Sequence, residues 1–339
     1  MISRRAFTLS GAALLGLSSC QSAKHGQTSA PHIDVRDQAL NDVLDPNASL
    51  DLLETGFGWS EGPTWDRQRE RLYFTDVPNN IAFQWPRAGP VSVFLDPSGT
   101  SNAHGFREPG SNGLWYSRQG DLIVCNHGLR RVERLDLDTH TRLPIAVDYQ
   151  GRRFNSPNDV VEASDGTLYF TDPPYGLEGL NASPLKEMSV NGVYRVRPDG
   201  QVERLVSDMT FPNGVALSPD DRTLYVSQSD PNAPIIRALD LALDGSVAAH
   251  RTFFDASSLM NPSDPRMVDG MAVSGSGQIF ATGPGGVLVL TPNGQLLGRI
   301  LTGRATANCA FGEDGRTLFI TAHDRLLRIR SKARGVQWT

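Results

Sequence analysis

Asn158-Asp159-Val160-Val161, followed ten residues later by Leu168-Tyr169-Phe170-Thr171 with Asp165-Gly166 between them, is the stretch that decides the fold. A short polar residue leads into a β-branched run, a turn dipeptide follows, and a second β-rich run answers the first. That is the pattern of a tight hairpin.

The same register recurs five more times. Glu61-Gly62-Pro63-Thr64-Trp65, Asn112-Gly113-Leu114-Trp115-Tyr116, Asn213-Gly214-Val215-Ala216-Leu217, Asp269-Gly270-Met271-Ala272-Val273 and Asn308-Cys309-Ala310-Phe311-Gly312 open the other hairpins. Leu72-Tyr73-Phe74-Thr75, Leu122-Ile123-Val124-Cys125, Leu224-Tyr225-Val226-Ser227, Ile279-Phe280-Ala281-Thr282 and Leu318-Phe319-Ile320-Thr321 answer them at offsets of 10 or 11 residues. Successive openings lie 51, 46, 55, 56 and 39 residues apart. Such spacing fits four-stranded propeller blades with loop insertions. The chain is therefore expected to be all-β, a six-bladed β-propeller of four-stranded antiparallel blades around a central channel. Residues 48–335 form its single domain, and a strand near Leu50 to Thr55 completes the last blade.

Composition agrees with one closed β architecture: 339 residues carry 33 Gly, 22 Pro and a formal charge of −5. That balance gives no basis for a nucleic-acid partner. No Gly-x-Ser-x-Gly elbow, P-loop or dinucleotide-binding glycine motif is present, which argues against a serine hydrolase triad and against nucleotide cofactors.

The N-terminus has a different character. Ser3-Arg4-Arg5-Ala6-Phe7-Thr8-Leu9 and the apolar run from Gly11 to Leu17 look like a twin-arginine export signal. Leu17-Ser18-Ser19-Cys20 resembles a lipobox, with an ordinary signal-peptidase site as the alternative. The expectation is a signal peptide over 1–19, a flexible tether over 20–47, and an exported protein of the periplasm or cell envelope held to the membrane through lipid on Cys20. Cys125 and Cys309 fall in strands of different blades and read as buried thiols.

In a propeller the residue just ahead of each innermost strand points at a shared axis, so Glu61, Asn112, Asn158, Asn213, Asp269 and Asn308 converge. Two carboxylates and four amides are hard oxygen donors, which suit Ca²⁺ rather than zinc. The competing reading treats Asn-Gly and Asp-Gly simply as turn dipeptides. Against it stand Glu61, a poor turn residue, and Asn158, which is followed by Asp159 rather than Gly.

From Glu61 to about Arg330 the sequence resembles the SMP-30/gluconolactonase family of six-bladed propellers. Ser60-Glu61-Gly62-Pro63-Thr64-Trp65, Asn112-Gly113-Leu114, Asn155-Ser156-Pro157-Asn158-Asp159-Val160-Val161, Asp165 to Gly176, Phe211-Pro212-Asn213-Gly214-Val215 and Asp269-Gly270-Met271 carry the likeness. The resemblance implies that Glu61, Asn158, Asn213 and Asp269 ligate one divalent cation, most simply Ca²⁺. It also implies hydrolysis of a sugar lactone, with Asp269 as base or nucleophile and Asn112 lining the substrate pocket. Asn308 is left with the role of starting a strand.

Tyr175, after the rigid Asp172-Pro173-Pro174 turn, is a candidate wall of that pocket. His104, in a loop ahead of Asn112, is a candidate substrate contact; His127 and His323 read as loop residues. Two other functions remain open: hydrolysis of an aryl ester or organophosphate at the same metal, and ligand binding without catalysis at the envelope. Monomer and dimer are both compatible with the sequence.

Overall fold

The computed structural model describes residues 31–261 and 266–338. Six antiparallel sheets built on four strands each follow one another along the chain, one of them extended by a fifth strand, with a separate two-stranded pair at Asp148–Tyr149 and Arg152–Arg153. Innermost strands run over Ser60–Asp66, Ser111–Tyr116, Val160–Glu162, Pro212–Leu217, Met271–Val273 and Asn308–Gly312. Each touches the next, and Asn308–Gly312 returns to Ser60–Asp66, so the sheets close as the six blades of a propeller. Leu50–Thr55 pairs outside Arg325–Arg330, with Leu50 opposite Ile329 and Thr55 opposite Arg325. The sixth blade is thus built from both ends of the domain.

The apolar core is divided among the blade junctions. Trp65, Phe74 and Phe319 fill the junction of blades 6 and 1, Phe154, Phe170 and Tyr194 that of blades 2 and 3, and Val215, Leu224 and Val226 pack against Val161 and Val193 between blades 3 and 4. Alternation along each strand sends one face of a blade to each neighbour.

Two repeated devices set the inner ring. The residue after most of the channel residues is glycine because neighbouring strands leave no room for more: a Cβ on Gly214 would lie 2.3 Å from the Asp269 carbonyl oxygen, and one on Gly113 2.6 Å from that of Asn158. These glycines serve close approach between blades, so the Asn-Gly pairs are not simple turns. The ladder slips there too, between Glu61 and Thr64, Ser111 and Leu114, and Pro212 and Val215. Bulges of this kind re-aim a side chain.

Hydroxyls form the second device. Thr75, Thr171 and Thr282 donate to the backbone carbonyls of Asn112, Asn213 and Ala307 at 3.1, 2.6 and 2.8 Å, each in the next blade. The fourth residue of each answering strand is Thr, Cys, Thr, Ser, Thr and Thr. At three of these positions the hydroxyl stitches one blade to the next, whereas Ser227 and Thr321 reach the Gly214 and Asn308 carbonyls of their own blades.

The tether expected over 20–47 is corrected from His32 onward. His32–Val35 adds a fifth strand to blade 5, with His32 opposite Leu301 and Val35 opposite Gly298. A 3₁₀ turn over Gln38–Asp42 then carries Leu40, Val43 and Leu44 into the core beside Phe280 and Phe311. Polar neighbours hide those three apolar residues in the sequence, yet each buried side chain contributes roughly 1.5–3 kcal/mol. The expected signal peptide and Cys20 anchor lie outside the described residues. Cys125 and Cys309 are free and buried.

Candidate active site

The ring residues are held from behind by side chains at the ends of the second strands. Asp76 accepts the N–H groups of Gly58 and Trp59 at 2.9 and 3.1 Å, just ahead of Glu61. Asp172 does the same for Asn155 and Ser156, both at 2.9 Å, ahead of Asn158. Gln228 Oε1 accepts from Thr210 N at 2.9 Å, ahead of Asn213. The Ser156 hydroxyl also donates to Pro173 O and accepts from Gly176 N, locking the turn that carries Tyr175 to the one that carries Asn158.

Within the channel, Glu61, Asn112, Asn158, Asn213 and Asn308 are each buried. Amides run in a chain: Asn112 Nδ2 donates to Asn158 Oδ1 at 2.9 Å, Asn158 Nδ2 to Asn213 Oδ1 at 2.5 Å, and Asn213 Nδ2 to Ser229 Oγ at 2.8 Å. Glu61 Oε2 accepts from its neighbour Gly62 N at 2.9 Å. The Asn308 amide reaches both Glu61 and Asp159, so its side chain belongs to the channel rather than merely starting a strand.

Burial, then repulsion from Glu61 and Asp159, pushes the Asp269 carboxyl well above the usual carboxylate range. Glu61 is raised by burial and by Asp159. Asp159, pushed up to about 7 by burial, stands where four of the other blades have glycine and accepts from Val160 N and Val215 N at 3.0 and 3.1 Å. Acids packed this way favour neutralisation by a cation.

The donor set fits a hard divalent ion. Among the described residues no group of three His, Cys, Asp or Glu is placed to hold a metal unaided. Two carboxylates completed by Asn amide oxygens form a mixed, oxygen-only set.

Tyr175 stacks on Phe211 with ring centroids 5.8 Å apart. Its buried hydroxyl lies toward Ser229 in the field of Asp269, and burial first and that field second raise its pKa. Tyr175 therefore joins the ring, whereas His104 is exposed and its backbone N–H bonds locally to Asn102 Oδ1 at 3.3 Å. The structure does not bring His104 to the ring residues.

His127, read from sequence as a loop residue, is instead fully buried with Nε2 3.4 Å from Asn112 Nδ2. Burial lowers its pKa to about 4, so it is neutral. Glu108, itself raised by burial, places Oε2 3.9 Å from His127 Nδ1 while Arg107 Nη2 donates to its Oε1 at 2.5 Å. No spacing in the sequence links Glu108, Asn112 and His127; the channel does.

A cavity of about 420 Å³ runs beyond the ring among Asp159, Cys309, Trp65 and Met271 and is bordered by Gly335, Val336 and Gln337. It touches the ring at Asn308 and beside it at Asp159, but its lining includes none of Glu61, Asn112, Asn158, Asn213, Asp269, His127 or Tyr175. The candidate site is therefore the ring itself.

Residues 59–324 match the family described as "SMP-30/Gluconolactonase/LRE-like region". A gluconolactonase of Zymomonas mobilis is 39% identical over 308 residues, covering 87% of this chain and 85% of that protein. A solved gluconolactonase of Xanthomonas campestris aligns with TM-score 0.76 and 32% identity over 89% of this chain and 97% of that one. Regucalcin of Agrobacterium tumefaciens, described as a calcium-binding protein, shares the fold at TM-score 0.66 and 18% identity over 85% of this chain and 96% of that one.

Proposed function

The chain belongs to the SMP-30/gluconolactonase/LRE-like family, and from that membership we propose that it is a lactonase that opens a sugar lactone of the gluconolactone class. What supports this reading is that the Asp269 carboxyl lies in the field of Glu61, the amides of Asn112, Asn158 and Asn213 are joined in one chain, and Tyr175 and His127 stand beside them.

In this reading Glu61, Asn158, Asn213 and Asp269 hold a divalent cation, for which Ca²⁺ is the best chemical match. When bound, such an ion polarises the lactone carbonyl and favours the oxyanion. The chain's own residues do the rest. The Asp269 carboxylate is fixed through its backbone N–H, which donates to Thr282 O at 3.1 Å. From there it takes a proton from the attacking water or itself attacks the carbonyl carbon. With water attacking, the carbonyl carbon gains its oxygen, the ring C–O bond breaks, and the freed alkoxide takes a proton to give the open hydroxy acid; with Asp269 attacking, ring opening leaves an anhydride on Asp269, whose carboxyl carbon water then attacks to release the same hydroxy acid. Tyr175, kept protonated by its raised pKa, is a donor beside Asp269.

Acid release from a panel of sugar lactones, simple lactones, aryl esters and phosphotriesters tests this reading. Preference for the sugar lactones supports it; turnover confined to esters or phosphotriesters, or none at all, rejects it. Single-turnover hydrolysis in heavy-oxygen water separates the two roles of Asp269, since direct attack delivers unlabelled carboxylate oxygen to the first product. We further propose export with a lipidated Cys20, resting on the residues from Ser3 to Cys20.

A further inference from the structure

The amide chain has a direction, and that direction is set at both ends. Ser229 Oγ lies 2.6 Å from the backbone carbonyl of Val268, which can only accept, so the hydroxyl must donate there. Its oxygen then accepts from Asn213, which places Asn213 Nδ2 toward Ser229 and Oδ1 toward Asn158. The same logic orients Asn158 and then Asn112, whose Nδ2 already serves Asn158 Oδ1 at 2.9 Å. The second hydrogen of that Nδ2 faces His127 Nε2 at 3.4 Å, where only an unprotonated nitrogen is acceptable. The imidazole proton must therefore sit on Nδ1, facing Glu108 Oε2 at 3.9 Å. Hydrogen-bond logic of this kind is how amide orientation and histidine tautomer are properly assigned.

Two atoms of this cluster are buried without a hydrogen-bond partner: His127 Nδ1, and the acceptor Asn112 Oδ1. An orphaned buried acceptor costs stability unless something donates to it.

We propose that His127, buried beside Glu108, is a positioning residue that locks the Asn112 amide with its oxygen bare, and that this oxygen accepts a hydroxyl of a polyhydroxylated lactone. The inference rests on the lactonase reading above and deepens it into a basis for substrate selectivity. Gly176 packs directly against His127: a Cβ there would fall 2.7 Å from His127 Cβ and 2.9 Å from Nδ1. The lock acts on orientation: without an acceptor at His127, the Asn112 amide gains nothing from its present rotamer and can turn its NH₂ toward the substrate instead.

Two variants and a spectrum test the proposal. His127→Leu fills the space without an acceptor, and His127→Gln restores an oxygen near the Nε2 position. Selectivity is read as the ratio of kcat/KM for glucono-δ-lactone over that for δ-valerolactone, which has no hydroxyls. Loss of one hydrogen bond in His127→Leu lowers that ratio about tenfold, mainly through KM for the sugar lactone. His127→Gln recovers most of the ratio. An unchanged ratio in His127→Leu, or equal loss on both lactones, overturns the proposal.

Proton–nitrogen correlation spectra of the wild-type imidazoles, assigned by the signal missing in His127→Gln, give a readout independent of turnover. The expected result at neutral pH is a neutral ring with a bare Nε2. A proton on Nε2 refutes the positioning role even if the protein is a lactonase. A bare Nε2 in a protein that hydrolyses no lactone leaves the hydrogen-bond assignment standing, rejects the lactonase reading, and with it the substrate half of the proposal.

Discussion

Asn158 donates its side-chain amide to Asn213 Oδ1 across 2.5 Å, joining the openings of blades 3 and 4. Two residues 55 positions apart in the chain are thereby held as one unit. Replacing Asn158 by Ala removes one proposed ligand and releases the partner that orients another. Calorimetric titration with Ca²⁺ should show affinity weakened by at least about tenfold, in keeping with losses seen when outer-shell partners are removed. Affinity equal to wild type would remove Asn158 from the ligand set.

Asp269→Asn keeps shape and hydrogen bonding while deleting the proposed base or nucleophile. Turnover is expected to fall by about 10²–10⁴-fold, the range of a lost acid–base group. Stability should hold or rise in the metal-free protein, because one of the mutually repelling buried carboxyls is gone. A variant that melts like wild type and still turns over at near wild-type rate would exclude the proposed role.

The N-terminal segment makes a different prediction. Leu40 is fully buried against blades 5 and 6, so Leu40→Ala should cost about 2–5 kcal/mol, as other buried leucines do. Denaturant unfolding measures it directly, and a cost below half a kcal/mol would mean that residues 38–44 are not held in the core.

Much of this fold can be read from the chain. The six openings, their answering strands and the closing strand at Leu50 all occupy the elements expected of them. Periodicity carries that information because blade geometry repeats. Leu40, Val43 and Leu44 escape notice because three apolar residues among polar ones lack a repeating partner. In the ring, residues at the repeated position are legible, including Glu61, Asn158 and Asp269. His127 and Glu108 come from loops of unrelated length, so only the folded chain brings them to Asn112. Asp159 directly follows a register position, but its bond from Val215 N comes from the next blade and leaves no trace in local spacing.

Acid should weaken the fold through His127. Its folded-state pKa is lowered to about 4 by burial, whereas the unfolded chain takes up a proton near the ordinary value of 6.5. Between those values the unfolded state binds more protons, so stability falls as pH drops from about 6.5 through about 4, by at most about 3 kcal/mol. Glu108 and Arg107 face the ring and are common to both proteins in the comparison with His127→Gln. Melting of wild type and variant across that window should show a steeper acid decline for wild type; parallel curves would contradict the buried neutral imidazole.

The most direct test of the central claim is acid release from glucono-δ-lactone by the purified protein, corrected for spontaneous hydrolysis, before chelation, after it, and after Ca²⁺ is restored. The account predicts turnover that disappears with the chelator and returns with the ion. Absence of turnover in every state would contradict the lactonase reading, and full activity after complete chelation would contradict the cation held by Glu61, Asn158, Asn213 and Asp269.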